Sequence, residues 1–144
     1  MVKFCSLFSG SSGNALFIGT EKTKLLIDAG LSGKKILEAL SSIGEKPEEL
    51  SAILISHEHV DHVRGAGILS RKVDIPIYAN ESTWCAMENG LGPVKLENKV
   101  AFNTGEEFEI GDICIRPFSI PHDAAEPVGL IFLQKEKGLP QQQI

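Results

Sequence analysis

Several features are scarce or missing in this sequence of 144 residues, and each absence closes off a class of protein. No apolar run approaches the ~18–20 residues of a membrane-spanning helix; the longest, such as Ala52–Ile55, are strand-sized. The opening Met1-Val2-Lys3-Phe4-Cys5 lacks the charged start, long apolar stretch and small-residue cleavage site of a signal peptide. Cysteine is reduced to Cys5, Cys85 and Cys114, an odd number and widely spaced, with no C-x-x-C pair. That pattern builds no disulfide framework and leads us to expect three buried, inert thiols in a reducing compartment. A cytoplasmic protein without membrane contact is the expectation. Positive charge is also in short supply. The net charge is −5, with nine Lys/Arg against eight Asp/Glu in residues 1–72 and five against eleven in residues 73–144. A protein that grips nucleic acid by charge alone is basic. Any nucleic-acid substrate must therefore be held by a local patch, by bound metal or by parts outside this chain.

What is present suits one globular domain: 42% hydrophobic and 23% charged residues, in a chain long enough to bury roughly 68–70% of its unfolded surface. The first third reads as β. Phe4–Ser9 and Ala15–Ile18 flank the turn-rich Ser9-Gly10-Ser11-Ser12-Gly13-Asn14, and Thr23–Asp28 follows as a third strand. Ser32 is placed to cap a helix whose Ile36, Leu37, Leu40 and Ile43 recur at helical spacing, with Gly44 to stop it. Ser51–Ser56 carries Ala52-Ile53-Leu54-Ile55 without alternation, as in a strand buried on both faces. A helix is predicted from Asp61 to about Lys72, a strand over Ile75–Ala79 and a short helix over Glu81–Glu88. Strands follow at Lys99–Phe102, Glu107–Ile110, Ile113–Ser119 and Val128–Leu133. This order points to an α/β or α+β layered domain.

Histidine is the most unevenly spread residue. Three of the four lie within Ser56-His57-Glu58-His59-Val60-Asp61-His62, and the fourth is His122. A single loop histidine is ordinarily just solvated or hydrogen-bonded, but that reading must here account for three imidazoles and a carboxylate packed behind one buried strand. In extended backbone, residues two apart point the same way, so His57 and His59 can reach one ion. Asp61 and His62 diverge from them where the helix begins and suit a neighbouring ion, in a pair about 3.5–4 Å apart of the kind found in two-metal hydrolases. His122, at another strand end, is placed to close the first site from the far side. Lys34, Lys35, Arg64, Arg71 and Lys72 could meet phosphate, though solvated helix faces are the simpler reading for each.

The segment His57–His62 with Val63-Arg64-Gly65 resembles the H-x-H-x-D-H-x-x-G signature of metallo-β-lactamase-fold hydrolases. Leu25-Leu26-Ile27-Asp28-Ala29-Gly30 is similar to the first motif of that superfamily. Ser9–Asn14 and His122-Asp123-Ala124 resemble its bacterial cytoplasmic YycJ/WalJ-like branch. The likeness runs from about residue 3 to about 136. It implies an αββα sandwich, represented here by its N-terminal portion, with metals at one edge of the two sheets. It also implies His57, His59 and His122 on a first metal, Asp61 and His62 on a second, and Asp28 supporting the site from behind. The plainer role for Asp28 is to cap the turn after its strand. Two divalent ions, Zn or Mn, belong to the intact family.

The implied chemistry is hydrolysis by a hydroxide held between the metals, with Asp61 binding the second metal and orienting the hydroxide or taking its proton. A phosphodiester substrate, DNA or RNA, is implied by the branch. The alternatives are a non-catalytic metal-binding fragment and a hydrolase of a small thioester or lactone. The loop Ser9, Gly10, Ser11, Gly13 and Asn14 is expected near the metals, offering backbone N–H groups to an anionic substrate or serving as a plain hairpin connection. Residues 1–137 are expected to form the N-terminal part of the domain. Residues 138–144 form an atypical tail whose Pro140 and glutamines make a poor buried strand. The family's bridging carboxylate, later histidine and second β-α half have no counterpart, as in a truncated or frame-shifted chain. One ion or fewer is therefore expected here, with weak activity at most and self-association through a sheet face left bare.

Overall fold

The computed structural model describes residues 2–135 and 142–143. Among them, ten strands form two sheets. The first sheet runs β1 (Lys3–Phe8), β2 (Ala15–Gly19), β3 (Lys24–Ile27), β4 (Ala52–Leu54), β5 (Ile77–Asn80) and β6 (Lys99–Phe102) in that spatial order. β1 to β3 pair antiparallel, and β3 to β6 pair parallel. The second sheet, ordered β10-β9-β8-β7, is antiparallel and comprises β7 (Phe108–Ile110), β8 (Ile113–Ser119), β9 (Val128–Gln134) and the two-residue β10 (Gln142–Gln143). The helices are α1 (Gly33–Ser42), α2 (Val60–Val63), α3 (Ala66–Val73) and α4 (Glu81–Met87).

Strand alternation builds two cores. Phe17, Leu26, Ile53, Ile55 and Ile77 pack with Ile36 and Leu40 of α1, Leu69 of α3 and Trp84 of α4. Their neighbours Ile18, Leu25, Ile27, Ala52 and Leu54 pack on Ile113, Ile115 and Phe132 of the second sheet. Ala52–Leu54 is thus buried on both faces, as its unbroken apolar run predicts, and each fully buried Ile or Leu contributes about 1.5–3 kcal/mol. The layers are helices, sheet, sheet.

The helix caps follow the sequence. Ser32 Oγ accepts the Lys35 N–H at 3.3 Å, and Asn80 Oδ1 accepts the Thr83 N–H at 2.9 Å. Three expectations need correction. First, the helix predicted from Asp61 to Lys72 is two helices. Gly65 N–H donates to the Ala29 carbonyl at 2.7 Å, while the Asp61 and His62 carbonyls accept from Asn14 N and Ala29 N, both at 2.8 Å. The carbonyls that a continuous helix would use are spent on neighbouring loops. A Cβ at Gly65 would strike the Leu31 carbonyl and one at Gly30 the Asp61 carbonyl, so both close approaches require glycine. Second, the sheet expected to lack its partner sheet has one: the two sheets face each other across Ile18, Leu25, Ile113 and Ile115. Among the described residues, Phe118 is the one exposed large hydrophobic of the second sheet. Third, the thiols are not all buried: α4 turns Thr83, Trp84 and Met87 inward and leaves Cys85 exposed. Of the tail, residues 138–141 and 144 lie outside the described residues. Gln142 and Gln143 pair with Gln134 and Leu133, so polar residues here form an edge strand.

Candidate metal centre

The site lies beyond the carboxyl ends of β3 and β4, where loops of an open parallel sheet converge. Asp28 leaves β3 with φ at 63°, a left-handed turn that Asp tolerates. Its N–H stays on the Leu54 carbonyl at 2.7 Å, while its carboxylate is turned toward the segment after β4. Oδ1 accepts the Ser56 N–H at 2.8 Å, and Oδ2 accepts the Ser56 hydroxyl at 2.8 Å. His62 Nδ1 lies 2.7 Å from the same Oδ2. One buried carboxylate thus ties the start of the histidine segment to its end.

His57, His59 and His122 converge. One ligand atom from each lies within 4.8 Å of the others. Ring centroids are 4.8 Å apart for His57 and His59, 4.5 Å for His57 and His122, and 5.1 Å for His59 and His122. His122 reaches the cluster because β9 begins with a hydrogen bond from Val128 N to the Ser56 carbonyl at 3.0 Å, which draws the loop after β8 onto the same edge. His57 is buried at 6% exposure. Its Nδ1 contacts Ser56 Oγ at 3.0 Å, and its buried Nε2 has no hydrogen-bond partner. A buried nitrogen without a partner, beside two further imidazoles, fits a divalent cation.

Asp61 and His62 sit beside this group. The His57 and His62 ring centroids are 3.8 Å apart, and His62 Nε2 lies 3.7 Å from Asp61 Oδ2. With Nδ1–H directed at Asp28, the tautomer assigned from its partners leaves the lone pair of His62 on Nε2. Asn14 Nδ2 lies 3.2 Å from that nitrogen and 3.3 Å from Asp61 Oδ2.

The glycine-rich loop therefore does reach the cluster, but through a side chain. Its backbone is largely committed elsewhere. Gly10 N–H donates to Asn14 Oδ1 at 3.2 Å, Gly13 N–H to the Gly10 carbonyl at 3.3 Å and Asn14 N–H to the Asp61 carbonyl. The Gly10 and Gly13 amides are thus engaged within the loop, as in a hairpin connection. Among the described residues, neither Ser9 nor Ser11 hydrogen-bonds to the cluster through its side chain. Arg71, considered for phosphate, donates to the Leu91 and Pro93 carbonyls at 2.9 and 2.7 Å and fastens a surface loop. Sequence reasoning missed Glu58, whose Oε2 accepts the Ala125 N–H at 2.9 Å across 67 positions. Its only signal was a carboxylate between two candidate ligands.

Burial, then the nearby His62, lowers the His57 pKa from 6.5 to about 4, although Asp28 opposes the shift. Burial also acts to lower that of His62, but the Asp28 hydrogen bond and the Asp28 and Asp61 charges outweigh it and raise the value. For the metal-free chain we expect NMR titration to find His57 neutral down to about pH 4 and His62 protonating above 6.5. Between 6.5 and about 4 the unfolded chain binds a proton at His57 that the folded chain refuses, so this contribution to stability is lost as pH falls. His62 has the opposite sense: its contribution is complete below its unfolded value and disappears as pH rises through the folded one. A His57 ring that titrates near 6.5 in the folded, metal-free chain would contradict this.

Residues 9–137 match the family described as the metallo-beta-lactamase superfamily. The chain is 50% identical over 137 residues to "Exodeoxyribonuclease WalJ" of Streptococcus pneumoniae, covering 94% of this chain and 51% of that protein. It is 47% identical to "Exodeoxyribonuclease YycJ" of Bacillus anthracis, covering 94% and 52%. Among solved structures, "Rm3 metallo-beta-lactamase" aligns with a TM-score of 0.76 at 20% identity over 97% of this chain and 56% of its own. The chain spans about half the length of the curated relatives it matches. Among the described residues, no helix is long and apolar enough to cross a membrane. With the family match spanning nearly all of the chain and its histidine segment converging with His122 at one sheet edge, the chain belongs to the metallo-beta-lactamase superfamily.

Proposed function

We propose that this chain carries the metal-binding half of a phosphodiesterase acting on nucleic acid, DNA in the first instance. The observation that carries the reading is the convergence of His57, His59 and His122 next to Asp61 and His62. Two relatives of about 50% identity that are named exodeoxyribonucleases support the choice of substrate. Residues 1–137 form the N-terminal part of the domain in this reading, and 138–144 an atypical tail of which Gln142–Gln143 adds an edge strand.

His57, His59 and His122 would hold a first divalent ion, zinc or manganese, with Asp61 and His62 offering donors to a second. Such ions polarise a phosphoryl oxygen and lower the pKa of bound water toward neutrality. Asp28 fixes the His62 ring from behind, and Asp61 would orient the attacking water or take its proton. Ser56 fixes the His57 ring. Three unpaired cysteines suit a reducing, cytoplasmic setting.

The second ion has only two donors from this chain, so we expect the chain to bind about one zinc-type ion or fewer and to hydrolyse weakly. The test is hydrolysis of bis(p-nitrophenyl) phosphate and end-labelled DNA, beside a thioester and a lactone, with added Zn or Mn and a full-length relative assayed alongside. Metal-dependent phosphodiester cleavage confined to the full-length relative, or much faster in it, supports both parts of the proposal. Cleavage by this chain at the relative's rate overturns the ligand count, and thioester or lactone turnover alone in both proteins overturns the substrate.

A further inference from the structure

We infer that Glu58 is a positioning residue for His122, resting on the reading of His57, His59 and His122 as ligands of one ion. The candidate ligands are held very unequally. The His57 ring is braced by Ser56 Oγ and the His62 ring by Asp28. The His122 ring has no hydrogen-bond partner among the described residues, so its place depends on the backbone of its loop.

That loop, between β8 and β9, is short of donors of its own because Pro121 and Pro127 carry no N–H. It is held at a few points. Ala124 N–H closes a turn on the His122 carbonyl at 3.0 Å, and Asn80 Nδ2 donates to the Glu126 carbonyl at 2.8 Å. Between these, the Ala125 N–H donates to Glu58 Oε2 at 2.9 Å. Glu58 is thus the one side chain of the histidine segment that grips the loop of the distant ligand, three positions from it. A bond from an amide to an ionised carboxylate is stronger than a neutral one. Placed between His57 and His59, Glu58 links the position of the third imidazole to that of the first two.

The carboxylate is also poorly suited to a purely stabilising role. Its Oε1 is buried and has no hydrogen-bond partner, a costly condition for a charged oxygen. The gain lies in register: the loop cannot slide along the sheet edge without breaking the contact.

The experiment measures cobalt(II) affinity of the full 144-residue chain from its visible d–d bands, with zinc competition. Glu58→Ala should weaken binding about tenfold or more, the usual scale for partners that orient ligands. Glu58→Gln, whose amide oxygen can accept the same N–H, should recover most of that loss. In a His122→Ala background, Glu58→Ala should cost nothing further, because the residue acts through His122. Equal affinity of Glu58→Ala and the parent overturns the inference. So does an equal cost in both backgrounds, or a Glu58→Gln variant as weak as Glu58→Ala. Thermal melts of each metal-free variant show whether it folds. Hydrogen exchange at the Ala125 amide reads the contact without metal: protection should fall in Glu58→Ala and persist in Glu58→Gln, and unchanged protection in Glu58→Ala overturns the inference. If the parent chain binds no cobalt, the metal-centre reading fails, and the exchange data still decide the contact.

Discussion

Replacing His57 and His59 together with alanine is expected to abolish metal binding while the chain still folds. The two rings supply two of the three convergent nitrogens, and the one left, on His122, has no chelate partner. The fold does not depend on them to the same degree. Both cores are built from strand and helix residues outside the segment, and neither includes a histidine. His57 moreover leaves a buried nitrogen unpartnered in the absence of metal, so its removal forfeits little polar compensation. Zinc at a hundredfold excess over its dissociation constant stabilises a folded protein by about 2.7 kcal/mol. The parent should show this as a rise in melting temperature on adding zinc, and the double variant should show no rise. Metal analysis after dialysis gives the second readout. A double variant that retains bound metal, or is stabilised by zinc as the parent is, would remove His57 and His59 from the site.

Asp28→Ala is expected to be the most damaging single change behind the site. It leaves the Ser56 N–H, the Ser56 hydroxyl and His62 Nδ1 without their shared acceptor. Hydrogen bonds to charged groups contribute about 1.5–3 kcal/mol each, and stripping one partner from a buried charged cluster costs about 3–5 kcal/mol. Alanine at the left-handed φ of 63° adds backbone strain. Asp28→Asn separates the two effects, since asparagine tolerates that conformation and keeps one acceptor oxygen. We expect urea unfolding to show a loss of about 3 kcal/mol or more for alanine and a smaller loss for asparagine. Both variants should bind metal more weakly, because Ser56, which braces the His57 ring, loses the carboxylate oxygen that holds its hydroxyl. Stability within about 1 kcal/mol of the parent for Asp28→Ala would show that the carboxylate is a simple turn cap, the plainer of its two roles in the sequence.

Much of this arrangement was legible in advance because it is written in local patterns. The run Ala52–Leu54 is apolar at every position, and only a strand covered on both faces uses such a run. Ser32 announces a helix start because a side-chain oxygen is needed where backbone N–H groups lack partners. The histidine segment stands out because imidazoles two apart on extended backbone share a direction. Glu58 was not legible: its partner is a backbone amide 67 positions away, and a main-chain donor leaves no residue type to recognise. The break between α2 and α3 was missed for a similar reason. Local spacing favours one helix from Asp61 onward, and only the neighbouring loops, by taking the carbonyls of Asp61 and His62, end it early.

The sequence by itself determined most strands and the first and last helices, the two-sided burial of the central strand and the identity of the histidine segment, since each follows from periodicity or residue chemistry over a few positions. Only the tertiary structure decided that the two sheets pack face to face, that Asn14 meets the cluster through its side chain while the Gly10 and Gly13 amides bond within their loop, and that His122 arrives at the same edge as His57. Those outcomes depend on contacts between segments tens of residues apart, which hydrogen-bond geometry and packing settle once the sheets have formed and local pattern does not encode.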